Sequence, residues 1–157
     1  MKEIDKKLIE TISRYTASGI DQQVDYEKFY LYSLITHSTA IEGSTVTEVE
    51  NQLLFDEGIA AKGRSLNEQM MNVDLKNAYL YGFEWAKTGQ PYSVELLCEL
   101  SAKVMRRTGS EYSTMGGSFD SSKGELRRCN VSAGIGGRSY LAFQKIPKAT
   151  ADFCDWL

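Results

Sequence analysis

The residues that could do chemistry together are few, and most of them crowd into one stretch, THSTAIEGSTVTEVE, Thr36 to Glu50. It holds the sole histidine, His37, and a carboxylate, Glu42, set directly before Gly43. A glycine at that point is the usual left-handed stop of a helix. Glu42 would then stand at the negative end of the helix dipole, where an exposed carboxylate is unfavourable by about 0.3–1 kcal/mol. Such a position calls for a compensating partner. A single histidine excludes paired-histidine metal motifs and makes any Ser-His-Asp arrangement depend on His37 alone. Cys98, Cys129 and Cys154 are odd in number, widely spaced and without a C-x-x-C pair, so they read as reduced, mostly buried thiols. Neither a catalytic set nor a metal site is expected. The run GIGGRS has the glycines of a phosphate loop but no Lys-Ser/Thr pair opening a helix, so turn chemistry explains it. Arg106 and Arg107 suit a helix C-terminus. Tyr26, Tyr30, Tyr32, Tyr79 and Tyr81 fall at helical spacing and are expected in the core.

The elements that must position these residues are mostly helical. Ile4, Leu8, Ile9, Ile12 and Tyr15 form one apolar stripe that ends before Gly19. Asp25 can cap a second helix that carries Phe29, Tyr32, Ile35 and Thr39 along one side and stops at Gly43. Two overlapping capping boxes follow, Thr45 with Glu48 and Thr47 with Glu50, opening a helix with Val49, Leu53 and Leu54 that Gly58 closes. Ser65 with Glu68 opens a long fourth helix that runs to Gly89. Ser93 opens a fifth, with Leu96, Leu97, Leu100 and Val104 as its core face. Thr108 to Lys123 is rich in glycine and serine and reads as a loop. From Arg127 to Lys145 the apolar period falls to two, with Cys129, Val131 and Ala133 answered by Tyr140 to Phe143 across Gly136-Gly137, which predicts a β-hairpin. Pro147 then suits a first helical turn, and Ala151, Phe153, Trp156 and Leu157 begin another stripe without a stop signal. An uncapped turn bearing Trp156 and Leu157 predicts that more chain follows.

Length and composition fit one domain over residues 1–157, since 157 residues with 42% hydrophobic side chains can bury a core. The net charge of −3 and the interspersed basic and acidic residues offer no basic face, so nucleic-acid binding is not expected. The N-terminus has no signal-peptide core and no apolar run reaches membrane-spanning length, so a cytoplasmic protein without a membrane role is expected. The sequence is silent on oligomeric state.

The order of these pieces resembles the Fic family (filamentation induced by cAMP). Ser38-Thr39-Ala40-Ile41-Glu42-Gly43 matches that family's inhibitory-helix pattern, Ser/Thr-x-x-x-Glu-Gly/Asn. Gly124-Glu125-Leu126-Arg127 followed by Val131 is similar to the opening of the family's hairpin flap, and Ile146-Pro147 with Trp156-Leu157 to the segment leading into its central helices. Together the matches span roughly residues 28 to 157. The signature HxFx(D/E)GNGR does not occur in residues 1–157, and His37 cannot replace its histidine because no glycine-asparagine loop follows it. The resemblance implies a mainly α, Fic-like helical bundle with one β-hairpin flap, an inhibitory helix over about 26–43 and a hairpin over about 127–145. It implies a protein adenylyltransferase that moves AMP from ATP, with Mg²⁺, onto a hydroxyl side chain of a target protein, although no ATP or Mg²⁺ ligand is found in this chain. It implies regulation by Ser38, Glu42 and Gly43, with Ser38 one turn before the carboxylate and able to hold it in place. In the family the inhibitory glutamate pairs with an arginine of the phosphate-binding loop, withdrawing the cation that would hold the γ-phosphate. Target docking would fall to Asn130, Val131, Ser132, Ala133, Tyr140, Leu141 and Ala142 on the flap edge, by main-chain hydrogen bonds. The alternative is a non-catalytic helical interaction or antitoxin-like module that offers Glu42 to a separate catalytic chain.

Overall fold

The computed structural model describes residues 3–134 and 136–157. Its helices are α1 Glu3–Ser18, α2 Tyr26–Ile41, α3 Glu48–Asp56, α4 Leu66–Lys87, α5 Val94–Val104 and α6 Ile146–Trp156, with strands β1 Glu111–Thr114 and β2 Gly117–Asp120. The fold is mainly helical, with one two-stranded antiparallel hairpin among the described residues.

Helices α2 to α5 each start at a side-chain N-cap. Asp25 accepts from the Lys28 N–H, Ser93 from the Leu96 N–H, and Thr47–Glu50 and Ser65–Glu68 each close a reciprocal capping box. The expected Thr45–Glu48 box does not form, because α3 has one N-cap and Thr47 fills it. Thr45 instead donates its hydroxyl to Glu68 at 2.7 Å, and Glu48 accepts from Ser33 at 2.7 Å. Pro147 lies in the first turn of α6 as its fixed φ favours.

Helix α4 is the spine, packed on α2 along one side and α5 along the other, while α3 lies on α2. Among the described residues, Ile35, Val46, Ala61, Ala78, Leu96 and Phe119 are the buried apolar ones. Several expected core residues lie elsewhere. Ile4, Leu8, Ile9 and Ile12 of α1 stay more than half exposed, since α1 contacts chiefly the short turn after it. Phe29 and Tyr30 face outward, whereas Tyr32 packs edge-on against Phe55 with ring centroids 4.9 Å apart. The three cysteines are free but only half-buried.

The paired strands also differ from expectation. The ladder forms at 111–120, in the segment read as a loop, where Tyr112 faces Phe119 with stacked rings 5.1 Å apart and Thr114 faces Gly117. The segment 127–145 instead makes one bridge among the described residues, Ser132 opposite Ser139; Ile135 lies outside them. The reason is competition from side chains. The Arg127 guanidinium donates to the Cys129 and Leu141 carbonyls, and Asn130 Oδ1 accepts from the Phe143 N–H at 3.1 Å, consuming groups that a ladder would need. No helix of the described residues is long and apolar enough to cross a membrane.

Candidate functional site

The end of α2 is built around its stop. Glu42 is the C-cap, with φ −89° and ψ 9°, and Gly43 follows at φ 94°. The Gly43 N–H donates to the Ala40 carbonyl at 3.0 Å and the Ser44 N–H to the Thr39 carbonyl at 3.0 Å, the two bonds of a Schellman turn. Among the described residues the Glu42 side chain, which is exposed, meets no hydrogen-bond donor and no cation. The compensating partner that its position calls for is therefore not in this set.

Beneath this turn the packing is polar. Asn72 of α4, fully buried, accepts through Oδ1 from the Thr39 hydroxyl and from Asn51 Nδ2, both at 2.8 Å. Its Nδ2 donates to Ser44 Oγ at 3.1 Å and to the Glu68 carbonyl at 2.8 Å. An amide side chain offers two acceptor sites and two donors, so Asn72 is fully satisfied. Asn51 Nδ2 also donates to the Thr36 hydroxyl at 2.8 Å, while Asn51 Oδ1 is buried without a partner among the described residues.

The chain leaving the turn is held as tightly. Glu68 Oε1 accepts from both the N–H and the hydroxyl of Thr45, and Oε2 from Ser65; the Ser65 and Thr45 hydrogen bonds hold its carboxyl down at about 2. Glu50 is lowered by the Thr47 backbone bond and by Arg64. Arg64 contacts both Glu50 oxygens at 3.2 Å and donates to the Thr45 hydroxyl at 3.0 Å, so this neighbouring guanidinium is engaged away from Glu42.

Of the residues expected to regulate, Glu42 and Gly43 thus sit on a fixed turn. Ser38 is half-buried and makes no side-chain hydrogen bond to Glu42 among the described residues; the neighbouring Thr39 ties the turn down instead. The docking residues Asn130, Val131, Ser132, Ala133, Tyr140 and Leu141 are exposed and Ala142 is half-buried. Ala133 donates to the Arg138 carbonyl and Tyr140 to the Val131 carbonyl, so the N–H groups of the Ser132–Ser139 pair point to the outer edge. Beside the base of this loop lies a cleft of about 770 Å³ whose lining includes Phe119, Lys123, Arg127, Arg128 and Phe143. His37 is exposed, 3.3 Å from Glu48. Among the described residues no cluster of three or more acidic, histidine or cysteine side chains could hold a metal, and no helix begins at Gly136 or Gly137.

Thr39, Asn51 and Asn72 escaped the sequence reading as a cluster because polar residues on a helix are expected to face water. The available signal was their spacing: Thr36 and Thr39 lie on the side of Ile35, and Asn72 lies one position past Met71 on the α4 core face.

No known family's sequence profile matches the chain. No curated protein matches it in sequence. Among solved structures, Fic-1 (aa134–508) from C. elegans is similar, with a TM-score of 0.58 and 16% sequence identity, covering 98% of this chain and 43% of that one. The chain spans less than half the length of that structure, and at this identity the likeness is one of fold: a Fic-like helical fold.

Proposed function

We propose that this chain is the regulatory and target-docking portion of a Fic-type protein adenylyltransferase, with Glu42 as its inhibitory carboxylate. The observation that carries the reading is a carboxylate with no partner among the described residues, at the negative end of α2, on a turn held by a buried polar network. A flexible terminus would let Glu42 relax away from the dipole; this turn does not, so an arginine supplied from outside the described residues gains both the Coulomb attraction and the relief of an unfavourable cap. An arginine so occupied is withdrawn from a nucleotide γ-phosphate, which is the inhibitory step. The fold likeness supports the family assignment, and the exposed Ser132–Ser139 edge supports main-chain docking of a target segment. ATP and Mg²⁺ would be held by residues outside 1–157, in an HxFx(D/E)GNGR segment, and the cytoplasm is the proposed compartment.

The test is Glu42→Gly in the protein as encoded, assayed with α-labelled ATP. Release of the arginine raises label transfer to protein. Equal labelling of parent and variant, with label present in both, makes Glu42 a plain helix end. If the coding sequence supplies no catalytic motif, the same carboxylate serves a separate chain, and purified residues 1–157 then suppress labelling by that chain in a manner lost on Glu42→Gly.

A further inference from the structure

We propose that Asn72, acting with Thr39 and Ser44, is the clamp that sets where Glu42 stands, so that inhibition depends on α4 as much as on the carboxylate. This rests on the inhibitory reading of Glu42. The geometry is specific. Asn72 grips the turn on both sides of Glu42, through Thr39 three residues before it and Ser44 two residues after it, from a helix that is otherwise separate in sequence. The two gripped residues are also bonded to each other, the Ser44 N–H on the Thr39 carbonyl, so the amide closes a ring around the C-cap. Thr39, Ser44 and Asn72 are all buried, which removes water as a substitute partner.

The same network carries a weakness. Asn51 feeds a hydrogen bond into Asn72 Oδ1 while its own Oδ1 stays buried and unpaired among the described residues. A network with one unsatisfied acceptor is held less firmly than a complete one. The Thr39 hydroxyl has one hydrogen and three acceptors in reach, Asn72 Oδ1 at 2.8 Å and the Ile35 and Thr36 carbonyls at 3.0 and 3.2 Å. It can therefore swing back onto its own helix when α4 shifts, releasing the turn without breaking α2. The clamp is thus a route by which displacement of α4 would lower inhibition with Glu42 intact.

The experiment compares Thr39→Val, Thr39→Ser, Asn72→Ala and Glu42→Gly in the protein as encoded, by hydrogen exchange at residues 42–45 and by AMP incorporation from α-labelled ATP. Thr39→Val keeps the shape and removes the hydroxyl. It speeds exchange at the Gly43 and Ser44 amides by roughly fivefold, the factor set by one net hydrogen bond, and raises labelling; Thr39→Ser restores parental values. Asn72→Ala does the same more strongly. Ser93→Ala, which removes the N-cap of α5 away from this turn, serves as the control for general loss of stability and leaves labelling at the parental level. If Glu42→Gly raises labelling while Thr39→Val and Asn72→Ala do not, the inhibitory reading stands and the clamp is wrong. Unchanged exchange in both variants equally overturns it. If neither Glu42→Gly nor the clamp variants raise labelling, the inhibitory reading itself falls and the clamp falls with it.

Discussion

Replacing Asp74 by alanine should destabilise the fold by an amount that the structure allows to be worked out. Asp74 is wholly inaccessible on α4, and its carboxylate accepts from the Arg107 backbone N–H at 2.7 Å and from the Arg107 guanidinium. A hydrogen bond to a charged acceptor is worth about 1.5–3 kcal/mol net. The guanidinium is 42% exposed, so its ion pair counts for about 1 kcal/mol or less. Removing the carboxylate also removes the cost of keeping a charge out of water, which offsets part of the sum and leaves a loss of about 2–3 kcal/mol. For a chain of this size that corresponds to a melting temperature lower by about 4–12 °C. Urea unfolding followed by circular dichroism, with parent and variant under identical conditions, measures it. Asp74→Asn retains an acceptor for the Arg107 N–H and falls between the two. A loss below about 0.5 kcal/mol for Asp74→Ala would refute the view that this carboxylate ties the end of α5 to α4.

Three further outcomes follow from individual contacts. The Glu68 carboxyl is held at about 2 against an ordinary 4.5, so its contribution is complete above pH 4.5 and fades as pH falls toward 2; melting temperatures across that window drop more steeply for the parent than for Glu68→Gln, and parallel profiles would contradict the capping assignment. Gly124→Ala loses more than about 2 kcal/mol in urea unfolding, because φ there is 71° and a Cβ would lie 1.9 Å from the Cys98 carbonyl oxygen; a parental midpoint would show that this close approach relaxes freely. Ser132→Pro removes an outward N–H at the Ser132–Ser139 bridge, so labelling of a target protein falls while nucleotide affinity holds, and undiminished labelling would make this loop a structural ribbon.

Most of the helices were legible in the sequence because their ends carry punctuation. Asp25, Thr47, Ser65 and Ser93 cap as their side chains require, and Gly19, Gly43, Gly58 and Gly89 stop as left-handed residues. The strands were not. Alternation at Cys129, Val131 and Ala133 marks an extended chain, but Arg127 and Asn130 satisfy its backbone with side chains. The glycines around Met115 hid a hairpin whose evidence was the matched pair Tyr112 and Phe119. Apolar stripes proved weak evidence of burial: that of α1 is intact in sequence and exposed in the structure. For the candidate site, Glu42 was legible because a carboxylate before a stop glycine breaks a local rule. Asn72 was not, because a buried amide becomes visible only when the elements it joins are brought together.

Glu42→Gln separates the charge of the carboxylate from the turn that holds it. The substitution keeps the length of the side chain and the turn at Gly43 and removes only the charge, so exchange protection at residues 42–45 stays parental and serves as the check on structure. The measurement is incorporation into protein from α-labelled and γ-labelled ATP, in parallel, for the parent and the variant as encoded. A neutral amide no longer holds the arginine, so α-label incorporation rises severalfold while γ-label is not transferred. Equal α-label incorporation in parent and variant, with the turn intact, would show that the Glu42 charge holds no inhibitory arginine.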